Sequence, residues 1–233
     1  MRIMDLDLLK DGKDFVIFAG CSDSYLRVFL FKDNKKLELI KESKHHKTCI
    51  LKTKCINMLS KKILITCSTR GDVALWDVSD VTNSNLEPFF TTNTNKSGIN
   101  GLATTSISEN RLLVATAGDD NSINLVLLEI PDQNNLSSIV ILNTWYCSDY
   151  HSSQITGLYL VENYLLSSSI DQRVTLLRWG VSEKGIECTF LSQTSTDVAD
   201  VQGMDLMEHN SDSITVCVFG KGLEVIKVPT IEE

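Results

Sequence analysis

Four side chains between residues 45 and 55, those of His45, His46, Cys49 and Cys55, are of the types that hold a soft metal ion. A structural zinc site asks for close Cys or His pairs facing a second such pair. Here the cysteines stand six residues apart and no second pair follows, so the stretch reads as a basic loop leading into a strand. Two carboxylate pairs, Asp119 with Asp120 and Asp197 with Asp200, are of the type that shares proton transfer. Both fall in expected turns or approaches to a strand, where Asp accepts from nearby backbone N–H groups. Gly220 and Gly222 bracket a last turn expected to need positive φ, one too short to cradle a phosphate. No G-x-x-x-x-G-K-[ST], G-x-S-x-G, H-E-x-x-H or C-x-x-C motif occurs. The reading is a binding protein and not an enzyme, with no catalytic, cofactor or metal-ligating residue assigned.

The elements that carry these residues repeat. From His151 to Val181 the chain reads as one WD-type blade: a His, an apolar strand, a second strand, a turn at Asp171-Gln172-Arg173, and a third strand bearing Trp179. Apolar hairpins of the same kind lie at Phe15–Phe31, Lys62–Val78, Arg111–Ile130, Tyr164–Val181 and Ser213–Val228. Their turn positions, Asp23, Arg70, Asp120, Asp171 and Lys221, are spaced by 47, 50, 51 and 50 residues. Ile99–Thr105, Ile155–Val161 and Val201–Met207 read as innermost strands, and Leu37–Ile40, Ser138–Trp145 and Ile186–Ser192 as outermost ones. The short, Val/Ile/Leu-rich runs bounded by turns make an αα solenoid a poor alternative. The expected fold is all-β, a WD40-type β-propeller with blade-like units at about 1–45, 46–95, 96–150, 151–198 and 199–233. About 4.7 blades fall short of the usual seven-bladed ring, so the chain is expected to be part of a larger ring in a longer, multi-propeller chain. Phe15, already in a second strand after fourteen residues, points the same way.

In an ideal blade a loop His, a second-strand Ser or Thr, a turn Asp and a third-strand Trp form one buried hydrogen-bonded set. The second unit has Trp76 six residues past the turn but carries Arg70 where Asp belongs. The fourth has His151, Ser167 or Ser169, and Asp171, yet its Trp179 lies eight residues on. An even offset keeps Trp179 on the same strand face but outside the usual place.

Net charge is −8, unevenly spread. From Lys35 to Lys62 nine Lys face only Glu38 and Glu42, a local +7 that leaves the other 205 residues at −15. The run spans an outer strand, a connecting loop and the entrance to the next unit, and its Lys41, Lys44, Lys47, Lys52 and Lys54 are therefore the candidates for contact with RNA or an acidic partner. Seven unpaired Cys, some inside apolar strands, fit reduced thiols and a cytoplasmic protein. No run approaches the roughly 20 apolar residues of a membrane helix.

The last third carries a more specific signal. Asp171-Gln172-Arg173 in the fourth unit is followed 27 residues later by Val198-Ala199-Asp200, and then by Gly220–Val225. From His151 to Val228 the chain resembles the C-terminal part of a eukaryotic WD-repeat family that partners the 2′-O-ribose methyltransferase of the tRNA wobble nucleotide. From Phe15 to Glu129 it is only generically WD-like. The resemblance implies a non-catalytic accessory subunit that binds and positions tRNA for the partner enzyme, with S-adenosylmethionine held by that enzyme. A general WD scaffold in endosomal trafficking or signalling, without RNA contact, is the other reading. Within the signature, an ion pair between Arg173 and Asp200 is expected across neighbouring units.

Overall fold

Four tight turns set the frame. Each of the positions 23, 70, 120 and 171 is followed by a residue in the left-handed region: Ser24 (φ 72°), Gly71 (77°), Asn121 (59°) and Gln172 (63°). The N–H of each donates to the carbonyl three residues back, at 3.1–3.2 Å, so one turn is built four times. At Gly71 the missing side chain also matters for packing, because a Cβ there would lie 1.9 Å from the Asn95 carbonyl oxygen.

The computed structural model describes residues 1–33, 35–82 and 85–230. They form two compact units, the first made of Met1–Ile99, Ser108–Asn110 and Ile130–Ile139, the second of Asn100–Ile107, Arg111–Glu129 and the chain from Val140 on.

The first unit holds two antiparallel four-stranded sheets. One is β1 (Ile3–Asp11), β2 (Asp14–Cys21), β3 (Leu26–Phe31) and β4 (Leu37–Ser43); the other is β5 (Ile50–Met58), β6 (Lys61–Ser68), β7 (Asp72–Asp77) and β8 (Pro88–Asn93). In both, spatial order follows chain order. Their shared core gathers Phe18, Leu26, Val28, Ile50, Leu64 and the fully buried Trp76. β1 takes up most of the fourteen residues that precede Phe15. Its Asp5 and Asp7 are half-buried and engaged: the Asp5 carboxylate accepts from the Thr53 N–H (2.7 Å) and Asp7 from the Cys55 N–H (2.5 Å), both on β5. Sheet joins sheet through these two bonds as well as through apolar contact.

The second unit holds β9 (Ile99–Ser108), β10 (Arg111–Gly118), β11 (Ile123–Glu129) and β12 (Val140–Cys147) in one sheet, and β13 (Ile155–Val161), β14 (Tyr164–Ser169), β15 (Arg173–Ser182) and β16 (Gly185–Ser195) in the next. β17 (Ala199–Asn210) and β18 (Ser213–Pro229) make a third. The outermost strand expected from Ser138 starts at Val140, since Leu136–Ser138 form a 3-10 turn capped by the Asn135 side chain. β18 is 17 residues long, about 55 Å if straight. Yet the Thr230 N–H donates to the Asp212 carbonyl at its other end, so β18 doubles back at Gly220-Lys221-Gly222. Of the two glycines there, Gly222 alone has positive φ (142°). Gly220 is needed for a different reason than expected: a Cβ would lie 2.4 Å from the Asp200 carbonyl oxygen.

Burial follows strand position within the sheet. Central strands such as β6, β7, β10 and β11 are buried along nearly their whole length, which their unbroken apolar runs anticipate. Outer strands such as β8 and β12 alternate or lie exposed. Among the described residues no helix is long and apolar enough to cross a membrane.

Candidate functional site

Two polar sets lie inside the sheets, each lacking one member. In the fourth repeat His151 is buried, with Nδ1 3.2 Å from both Asp171 carboxylate oxygens and Nε2 2.8 Å from Ser167 Oγ. A neutral ring donating from Nδ1 and accepting the serine hydroxyl satisfies this geometry. Asp171 also accepts from the N–H groups of Ser152 (2.9 Å) and Arg173 (3.2 Å), which ties the loop to the turn. Trp179 is displaced; its indole donates to the Tyr164 carbonyl at 3.3 Å, and Leu177 packs in the core six residues past the turn. Gln172 bridges onward, its amide donating to the Thr196 and Val198 carbonyls.

In the second repeat the Trp76 indole N–H donates to Thr66 Oγ1 (2.8 Å), and that hydroxyl lies 2.7 Å from His46 Nε2. His46 is a loop His that the spacing in the sequence conceals. It precedes Thr66 by 20 residues, whereas His151 precedes Ser167 by 16. β5 and β6 are each two residues longer than β13 and β14, which accounts for the four. Burial, with His45 beside it, pushes the His46 pKa down to about 4, against a weaker pull from Asp72. Burial likewise lowers His151, but there the Asp171 carboxylate opposes it.

His45 and His46 are thus not gathered with the cysteines around a metal. Burial holds the Cys55 thiol well above its usual range, with Asp7 adding to the shift, so it is a poor thiolate ligand.

The ion pair expected between Arg173 and Asp200 is not the one formed. Asp200 pairs with Lys221, which lies opposite the neighbouring Ala199 in the β17–β18 hairpin, and both side chains are at least half exposed. Arg173 begins β15 with an exposed side chain. The next approach is held by Glu224, which accepts from Thr196 Oγ1 (2.6 Å) and the Asp197 N–H (2.9 Å).

The five lysines are divided as their run in the sequence suggests, between an outer strand, a connection and the start of the next sheet. Lys41 is on β4, the outermost strand of its sheet; Lys52 and Lys54 are on β5, the innermost strand of the next. Only Lys44 and Lys47 lie in the connection, and Lys44 Nζ sits 5.3 Å from the Tyr25 ring centre. Lys47 is placed instead with a residue that charge counting overlooks. It lines a cleft of about 400 Å³ with Arg70, His45, His46 and Asp72, walled by Thr91 to Asn93.

No family model matches the chain. It is 30% identical to the cattle tRNA (34-2'-O)-methyltransferase regulator WDR6 over 97% of its length, and 28% identical to the human one over the same share. The rat regulator is 30% identical over 95%. The similarity therefore extends well beyond the last third, where the sequence signature lies. The chain spans only 22–23% of the length of these relatives. In fold it is similar to a chain of the Chaetomium thermophilum Polycomb Repressive Complex 2 (TM-score 0.69, 12% identity, 96% of this chain and 55% of that one). It is also similar to a chain of the Mitotic Checkpoint Complex (TM-score 0.59, 13% identity, 97% and 64%).

Proposed function

From the membership of this chain in the WD-repeat family of the tRNA (34-2'-O)-methyltransferase regulators, we propose that it belongs to a cytoplasmic, non-catalytic subunit that positions tRNA for a partner methyltransferase. The observation that carries the reading is similarity along 97% of the chain to regulators of that name. Its sheets then form part of a larger propeller ring in a longer chain, as the relatives' greater length supports. The partner would hold S-adenosylmethionine and carry out the transfer.

What such a subunit contributes is orientation. Fixing the anticodon arm so that one ribose hydroxyl meets the enzyme's cofactor makes a loose encounter effectively intramolecular. Phosphate contacts set the register of the RNA without reading its bases. Apolar sheet-on-sheet packing gives the rigid support that such positioning needs.

The test is purification of the full-length protein from its own cells, with identification of co-purified protein and sequencing of bound RNA. A tRNA methyltransferase and tRNA are expected together, and ribose methylation at nucleotide 34 should fall when the protein is depleted. Recovery of trafficking proteins, with neither the enzyme nor tRNA and with methylation unchanged, would sink the reading.

A further inference from the structure

Position 70 is the place where the second repeat departs from the pattern of its own fold. In the fourth repeat the equivalent residue, Asp171, is almost fully buried and accepts three hydrogen-bonding groups. In the second, Arg70 stands there, and His46 keeps its place in the polar set through Thr66, with no bond to a turn carboxylate. The turn itself is unaffected, because backbone groups and Ser68 hold it: Ser68 Oγ accepts from the Arg70 N–H at 3.1 Å. The Arg70 guanidinium has no hydrogen bond or ion pair among the described residues, nor does the Lys47 ammonium. Both cations line the same cleft. A departure from local pattern with no compensating contact marks a candidate functional position.

The cleft has a second, independent feature. His45 is exposed, yet its ring is propped edge-on against Trp76 (5.6 Å between centres) and against His46 (5.7 Å). Trp76 is itself fixed by burial and by its bond to Thr66. An exposed aromatic ring held in one orientation is a platform on which a base can stack. Asp72 keeps the cleft from being a general anion trap. Its carboxylate is held by Ser68 Oγ and Asn93 Nδ2, each at 3.2 Å, and leaves one net positive charge among Lys47, Arg70 and Asp72. Room of about 400 Å³, one surplus positive charge and one stacking ring suit one unpaired nucleotide.

We propose that this cleft binds a single-stranded nucleotide of RNA, with Arg70 and Lys47 on its phosphate and the base stacked on His45. The proposal rests on the reading of the chain as a tRNA-positioning subunit and assigns a site for part of that contact. An unpaired loop nucleotide can enter such a cleft, whereas a paired base cannot leave its stack without a penalty of a few kcal/mol.

The test uses the chain with two fluorescein-labelled probes, octa-adenylate and a blunt RNA duplex, titrated at several salt concentrations. The wild type should bind octa-adenylate more tightly than the duplex. Arg70→Asp installs the residue type of the fourth repeat, so folding should persist. It should weaken octa-adenylate binding about tenfold and make the salt slope shallower by about 0.7, the value for one phosphate no longer neutralised. His45→Ala should weaken binding about tenfold through the missing stack, with the slope unchanged. Lys184→Glu, on an exposed turn of the second unit and outside the cleft lining, should change neither quantity. If Arg70→Asp fails to fold, Lys47→Ala reads the same phosphate. Wild-type affinity in both cleft variants overturns the proposal, as do preference for the duplex, absence of octa-adenylate binding, and displacement by polyglutamate of a probe that both variants still bind. Retention of the methyltransferase by full-length protein, measured on the same variants, separates the two failures. Enzyme and tRNA retained with an inert cleft leaves the subunit reading standing; a cleft that binds octa-adenylate in a protein that retains neither overturns that reading alone.

Discussion

The second and fourth repeats start from the same polar pattern and each lose a different part of it. The fourth keeps its carboxylate and moves its Trp; the second keeps its Trp and gives up its carboxylate. Trp179 is partly replaced by Leu177 and finds a backbone carbonyl, so the change stays within the core. Arg70 is not taken up into the fold, and its charge is left facing a cleft. A missing apolar anchor is thus repaired by neighbouring packing, while a missing carboxylate frees a position for binding.

The largest test of this contrast is at the two indoles. Trp76→Ala removes a fully buried ring that packs the first unit and holds Thr66, and should destabilise by about 3–5 kcal/mol. Trp179→Ala, at the edge of its core and 9% exposed, should cost measurably less. Equal shifts in urea midpoint would break the contrast.

Acid comes next. His46 has its pKa near 4 in the folded chain against 6.5 in the unfolded one. As pH falls through this window the unfolded state takes up a proton that the folded state refuses. Stability is therefore full above about pH 6.5 and declines toward pH 4, by about 3 kcal/mol at the limit. His151 acts in the same direction, opposed by Asp171. His46→Gln should flatten the dependence of the urea midpoint on pH more than His151→Gln does; the reverse order would reassign the acid sensitivity to the fourth repeat.

A smaller effect separates the turn positions themselves. Asp171→Ala strands His151 Nδ1 and two backbone N–H groups, at a cost of about 2 kcal/mol. Arg70→Ala should stay within about 0.5 kcal/mol, since its side chain is exposed and holds nothing. A similar destabilisation at both positions, read by thermal melting, would show that Arg70 is structural after all. The smallest shifts belong to the lysines. Glu at Lys41, Lys52 or Lys54 should leave RNA affinity nearly unchanged, and Glu at Lys47 should lower it and reduce its salt slope by the value of one phosphate, about 0.7. An equal weakening at all four would restore a single basic surface.

Much of the frame is legible in the sequence because it rests on local chemistry. The hairpin turns need a polar or small residue with left-handed backbone, and Ser24, Gly71, Asn121 and Gln172 are where the repeat places them. The central strands show as unbroken apolar runs because both their faces are covered. What is illegible depends on partners distant in the chain. Asp5 and Asp7 break the apolar pattern of β1 because their carboxylates serve another sheet, 48 residues away. His46 is hidden by a hairpin lengthened by two residues on each strand, which shifts the spacing but not the geometry. The spread of the lysines over an outer strand, a connection and the next strand is legible, but charge counting does not see that Lys47 shares a cleft with Arg70. Asp200 matches Arg173 through a shared motif, but strand pairing sets its neighbour Ala199 opposite Lys221, whose ammonium then meets the Asp200 carboxylate.

Asp5 and Asp7 have one more consequence. The two carboxylates are spaced by one strand repeat and engage N–H groups spaced by the same repeat on β5. Together they act as a two-toothed ratchet between neighbouring sheets. A slide of one residue turns both teeth away from their notches, and a slide of two keeps only one engaged. Apolar contact between sheets is non-directional and tolerates slippage, whereas this pair admits a single alignment. They also fill the open rim of β5, so a foreign strand finds there no free N–H at positions 53 and 55 on which to grow.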